Sequence, residues 1–216
     1  MPEVTFQISM SLDGYVAGSN ADLENPLGVG GEQLHEWIFG LRSWREPHGL
    51  EGGVDNEDSR LVAELIEAQG AVIMGRRMFS NGSGPWEDDP NAGGWWGETP
   101  PFHVPVFVLT HHAREPLELS DTTFHFVTDG PEAALERARE AAGERDVSIA
   151  GGAEIAREFL RLGFVDRMHI HVTPILLGGG VALFEGLGPE DLALDQIDVR
   201  GAEAVTHITY RPRSDA

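Results

Sequence analysis

The chain contains no cysteine. Disulfides, thiolate nucleophiles and every zinc site that uses sulfur are thereby excluded, and stability must come from packing. No apolar run approaches the roughly 18 residues that a membrane span needs, so a soluble protein with no membrane partner is expected. The start, Met1 followed by PEVTFQIS, lacks the basic segment, apolar stretch and cleavage site of a secretory signal, which makes a cytoplasmic location the expectation. Positive charge is scarce: 15 Lys and Arg face 36 Asp and Glu, a formal net charge of -21. Such a field repels nucleic acid at long range, and no nucleic-acid partner is expected. A small anion can still bind where the few arginines and backbone N–H dipoles converge. The sequence also lacks G-x-G-x-x-G, H-E-x-x-H and G-x-S-x-G, which removes the dinucleotide fingerprint, zinc-protease and serine-hydrolase readings.

What is present is globular: 41% hydrophobic and 24% charged residues over 216 positions, read as one compact domain spanning 1–216. Val4, Phe6, Ile8 and Met10 alternate as a strand with one apolar face, and Asp13-Gly14 signals the turn after it. From 19 to 57 the pattern weakens into a long insertion, inside which EQLHEWIFGLRSW is apolar enough for a helix. Asp58 or Ser59 is the expected cap of a helix carrying Leu61, Val62, Leu65 and Ile66, with Gly70 at its C′ position. The strand AVIM follows. A second insertion, 80–104, is rich in Gly, Pro and acids yet carries Trp86, Trp95 and Trp96, so an ordered loop packed on the body or over a pocket is expected. Strands at VFVL and FHFV, a helix at PEAALERAREAAG with Pro131 in its first turn, the strand VSIA and the helix AEIAREFLRLG come next. RMHIHVTPILL, LDQIDV and AVTHITYR read as consecutive strands. Alternation through the middle predicts a largely parallel sheet, and the final run predicts antiparallel additions.

Three strand-to-loop joins carry the chemistry: Gly75-Arg76-Arg77 after AVIM, Thr110-His111-His112 after VFVL, and Gly151-Gly152-Ala153 after VSIA. In open α/β sheets ligands gather outside the carboxyl ends of strands, so these joins point to one crevice. Adjacent arginines suit phosphate, and two glycines before a helix allow close backbone approach with N–H groups aimed outward. Each join also has a plain reading: surface arginines that offset the acidic field, Thr110 and His111 exposed without function, and a tight turn at the glycines. His169 and His171 share a strand face, but no third ligand is evident and no metal site is expected. LGGGVALFEGL, 177–187, reads as a loop returning to the core.

SLDGYVAG, VIMGRRMF, VFVLTHH, VSIAGGAEIAREFL and HIHVTPILLGGGVALFEGL occur in the order seen in dihydrofolate-reductase-like proteins. From Val4 to about Tyr210 the chain most resembles stand-alone proteins similar to the reductase domain of the bifunctional riboflavin-biosynthesis deaminase-reductase. The resemblance implies a three-layer α/β fold, with a mostly parallel central sheet of about eight strands, antiparallel C-terminal additions and flanking helices. It implies an NADPH-dependent oxidoreductase acting on a small heterocyclic or carbonyl/imine substrate, and a homodimer. By position, Gly75, Arg76 and Arg77 would meet the cofactor phosphates, with Thr110 and His111 near the adenosine 2′-phosphate. Gly151, Gly152, Ala153, Glu154 and Ile155 would wrap the pyrophosphate. Asp13 and Gly14 would begin the mobile loop beside the nicotinamide, Asp13 serving as substrate or proton-delivery contact, or only as a turn residue. Two alternatives accompany this reading: a catalytically silent nucleotide-binding regulatory protein, and a dihydrofolate reductase proper, for which Glu32 or Glu36 would bind the pterin. A ribosyl-phosphate substrate would need a further basic cluster, for which Arg42 and Arg45 are the candidates. The zinc deaminase half is absent, since its motif needs cysteine.

Overall fold

The computed structural model describes residues 2–213. In chain order the strands are β1 (Val4–Ser11), β2 (Tyr15–Ala17), β3 (Gln69–Gly75), β4 (Val106–Leu109), β5 (Leu117–Leu119), β6 (Thr122–Val127), β7 (Asp146–Gly151), β8 (Arg167–Thr173), β9 (Val181–Ala182), β10 (Ala193–Gly201) and β11 (Thr206–Arg213). The α-helices are α1 (Glu36–Phe39), α2 (Arg42–Arg45), α3 (Glu57–Ala68), α4 (Arg76–Ser80), α5 (Pro131–Ala142) and α6 (Ala153–Arg161). The chain forms two compact units, one of Leu41–Gly152 with the first residues up to Glu3, the other of Val4–Gly40 with the chain from Ala153 onward. The class is mixed α/β with mostly parallel strands, nine in the large sheet, antiparallel strands at the edges and flanking helices. No helix among the described residues is long and apolar enough to cross a membrane.

In the first unit the strand order is β7-β3-β4-β6-β5, parallel except for β5. Every residue of β3, QGAVIMG, is buried, which explains its unbroken apolar run: a parallel strand covered on both faces has no solvent side to mark. Helix α5 packs against β3 and β4, burying Ala134, Leu135, Ala138 and Ala142. Val72, Met74, Val106 and Val108 instead join an aromatic cluster around Phe79 and Phe124, whose rings meet at 5.1 Å. The tryptophan loop is ordered and packs on this cluster through Trp86 and Trp96, while Trp95 is partly exposed.

Local details depart from expectation for physical reasons. The cap of α3 is Asn56, two residues before Asp58: its backbone is extended and its side chain accepts a hydrogen bond from the Ser59 N–H. Helix α3 ends at Ala68, and Gly70 lies inside β3, where a Cβ would meet the Ala142 carbonyl oxygen at 2.7 Å. The segment EQLHEWIFGLRSW is not one helix. Leu41 is extended (φ -79°, ψ 141°) because it bridges Val54, and Arg42 donates to the Val54 carbonyl at 3.0 Å, a pairing that overrides helix propensity. Strand β8 stops at Thr173, short of PILL, and β5 has no counterpart in the expected element list.

The second unit has the order β10-β11-β8-β1, with β1 and β8 parallel and β11 antiparallel to both its neighbours. The LGGG loop does return to the core through fully buried Leu183, and β9 pairs with β2. Gly180 (φ 126°) has no substitute here, because a Cβ would lie 2.1 Å from the Ala17 carbonyl oxygen. One sheet face is polar and buried: Ser9, His171 and His207 lie in register across β1, β8 and β11. Nδ1 of His171 and Nδ1 of His207 are 2.8 Å apart, so one ring donates and the other accepts. Trp37 covers both rings at 5.0 and 5.1 Å and donates from Nε1 to Ser9 Oγ. Burial, then the neighbouring His207, His169 and His35, push the His171 pKa down from 6.5 to about 3.

The folded chain therefore keeps His171 neutral while the unfolded chain protonates it as pH falls below 6.5, so stability is lost progressively between 6.5 and about 3. Urea midpoints measured from pH 7 to pH 4 should fall, and fall less steeply in His171→Leu; equal slopes in the two proteins would contradict this account.

Candidate functional site

Within the first unit the register brings all three chemistry-bearing joins to one edge. Gly75 pairs with Leu109 and Met74 with Gly151, so the carboxyl ends of the parallel neighbours β7, β3 and β4 finish level. Thr110 follows at once, its N–H donating to the Val127 carbonyl at 3.0 Å, and its Oγ1 accepts from the His112 N–H at 3.2 Å. Gly151 has φ 133°, a conformation that favours glycine, and the Gly151–Gly152 peptide is cis. Gly152 is exposed, and a Cβ built on it would meet nothing within 4 Å. The backbone there opens to solvent without a side chain in front of it.

The paired arginines part company. Arg77 and His111 are exposed at this edge. Arg76 is buried, and its guanidinium bonds Ser80 Oγ and the Asp89 carboxylate, with side chains only 8% and 2% exposed for the ion pair. Its guanidinium carbon also lies 3.5 Å from the Trp86 ring centroid. Burial acts to raise the Asp89 pKa, but bonds from Ser80, the Asn91 N–H and Arg76 outweigh it and hold the carboxyl below its ordinary value. Trp86 donates to the His112 carbonyl at 2.7 Å, so the 80–104 loop is fastened at two points. Sequence reasoning missed this clasp; the only signal was an arginine directly after a buried strand.

In the second unit, Ala153 opens α6 and is buried, Glu154 is exposed and Ile155 half-buried. Asp13 and Gly14 (φ 90°) form the turn after β1. The Asp13 carboxylate accepts from Ser11 Oγ at 2.6 Å, the Leu177 N–H at 3.1 Å and the Gly178 N–H at 2.7 Å. The Ser11 hydrogen bond, together with those backbone bonds, keeps its pKa below the usual carboxylate value. Asp13 is thus an ionised clasp between the turn and the LGGG loop. Glu32 and Glu36 are both exposed. Arg42 pairs with Asp55 at 3.3 Å, and Arg45 donates twice to the Glu51 carbonyl, so both are tied into their own loop.

The large, mostly parallel sheet with antiparallel strands at its edges and flanking helices is a dihydrofolate-reductase-like fold. The chain belongs to the family described as the RibD C-terminal domain, which residues 2–207 match. The uncharacterized protein YwjB of Bacillus subtilis (strain 168) is 33% identical over 75 residues, 35% of this chain and 42% of that protein. The match thus spans less than half of that relative. Among solved structures, the diaminohydroxyphosphoribosylaminopyrimidine deaminase/5-amino-6-(5-phosphoribosylamino)uracil reductase of Thermotoga maritima has a TM-score of 0.58 at 15% identity, covering 98% of this chain and 57% of that one. The riboflavin biosynthesis reductase Rib7 of Saccharomyces cerevisiae has a TM-score of 0.57 at 14% identity, covering 98% and 90%. Dihydrofolate reductase of Enterococcus faecalis, solved with NADP(H), has a TM-score of 0.53 at 13% identity, covering 98% and 97%. At these identities the structural likeness establishes the fold.

Removing the carboxylate in Asp89→Ala leaves a buried guanidinium uncompensated and should destabilise the first unit by about 3 kcal/mol. Chemical denaturation would measure this, and limited proteolysis should cut first within 80–104; an unchanged midpoint and cleavage pattern would show that the clasp does not hold the loop.

Proposed function

We propose that the chain is an NADPH-dependent reductase that delivers a hydride to a small heterocyclic or carbonyl/imine carbon, similar in reaction to the riboflavin-pathway reductases of its family. The observation that carries this reading is the level finish of β7, β3 and β4, with bare backbone at Gly151-Gly152 beside Gly75 and exposed Arg77. A pyrophosphate fits such a cradle, since close approach needs the missing Cβ and the following backbone N–H groups carry partial positive charge. In this reading Gly151, Gly152, Ala153, Glu154 and Ile155 hold the pyrophosphate through the backbone. Gly75 lets the strand end approach the cofactor, and Arg77, Thr110 and His111 read the adenosine 2′-phosphate. Arg76 acts one step back: bonded to Ser80 and Asp89, it fixes α4 and so the placement of Arg77.

Bound NADPH supplies the hydride. The chain's own part is orientation and electrostatics. Asp13, ionised and engaged by Ser11, Leu177 and Gly178, holds the turn carrying Gly14 in one position rather than donating a proton. The proton then comes from solvent water.

Gly152→Asp puts a carboxylate where the pyrophosphate sits, and the open space at this position allows the fold to survive. NADPH affinity should fall about a hundredfold, a like-charge cost of several kcal/mol, while circular dichroism stays that of the wild type. Undiminished NADPH binding in the folded variant would overturn the placement.

A further inference from the structure

A cavity of about 450 Å³ lies beside β6 in the first unit, lined by Phe107, Arg114, His125, Phe126, Arg137 and Glu140 among others. Strand β5 pairs only with Thr122–Phe124, so the outer edge of β6 at His125 and Phe126, which line the cavity, has no β5 partner. The cavity's size is in the range of small-molecule sites.

Its charge is unusual for so acidic a chain. Arg114 is half-buried, its guanidinium carbon 4.6 Å from the Trp86 ring centroid and 4.7 Å from that of Phe126, and it donates to the Ala92 carbonyl. Among the described residues no carboxylate makes an ion pair with it; Asp89, the acid whose field reaches it, is bonded to Arg76. A partly desolvated cation without a counter-charge is costly, and an anion relieves that cost. The second cation, Arg137, is already matched by Asp129 at 2.7 Å, and Glu140 adds a negative charge. One unmatched positive charge suits a monoanion and disfavours a dianion. The remaining wall is aromatic: His125 and Phe107 stack at 5.0 Å with a 21° tilt, and burial, then Arg137, favours the neutral imidazole.

We propose that this cavity binds a planar aromatic monocarboxylate, its carboxylate on Arg114 and its ring against the Phe107–His125 wall. The site shares no residue with the strand ends that the reductase reading uses, and meets them only through the Trp86 ring, on which both Arg114 and Arg76 lie.

The probe is 2-naphthoate, titrated calorimetrically into the full chain, with the His125 ring resonances followed by NMR. Saturable single-site binding that shifts the His125 resonances is expected. Affinity should drop about tenfold or more in Arg114→Gln, the loss of a charge-assisted bond. Arg114→Lys, which keeps the charge but loses the planar fork, should weaken binding with the fold intact, and cyclohexanecarboxylate should bind more weakly than the flat ring. The absence of saturable heat, wild-type affinity in both Arg114 variants, or displacement of naphthoate by NADPH would each overturn the proposal.

Discussion

The parallel hydrogen bonding of β3 to β7 on one side and β4 on the other is the constraint on which the candidate site depends. Strand β3 packs against α5 on one face and the aromatic cluster on the other, so a slip by one position would exchange its side chains between two differently shaped, close-packed surfaces. Register is therefore fixed, and with it the level at which Gly75, Thr110 and Gly151 leave the sheet. The three joins are far apart in sequence; only this ladder makes them neighbours.

Much of that was legible. Parallel strands covered on both faces write themselves as short apolar runs: AVIM reads as a buried strand and VFVL and VSIA as strands, each followed by glycine, arginine, threonine or histidine. Pro131 and Gly143 bounded α5 because their backbone preferences suit a helix start and end. Less legible was anything decided by tertiary pairing. Asn56, Asp58 and Ser59 are all capping types, and which one caps is settled by which backbone is extended. The stretch around Gly40 and Leu41 carries helical periodicity, but the bridge to Val54 breaks it. Strand β5 is three residues long and half exposed, too short for a pattern.

The site itself was legible by residue type and not by role. Arg76 and Arg77 look alike in sequence, yet one is bonded inside to Asp89, 13 positions away across an irregular loop, and the other stays at the surface. No periodicity announces such a pair. Asp13 likewise shows as a turn residue, while its bonds to Leu177 and Gly178 depend on a loop that follows β8. The same holds for the imidazoles of His171 and His207, which meet because β8 and β11 run antiparallel in one register. In each case a polar group that chemistry would nominate for a ligand is engaged by a partner from a distant part of the chain.

The central claim is that the strand ends read a phosphorylated dinucleotide. Its most direct test is titration of the unmodified chain with NADPH and, separately, NADH, following energy transfer from its five tryptophans to the reduced nicotinamide. The account predicts saturable NADPH binding at least about tenfold tighter than NADH, since the 2′-phosphate adds a charge-assisted contact. Binding of neither nucleotide, or equal affinity for both, would contradict it.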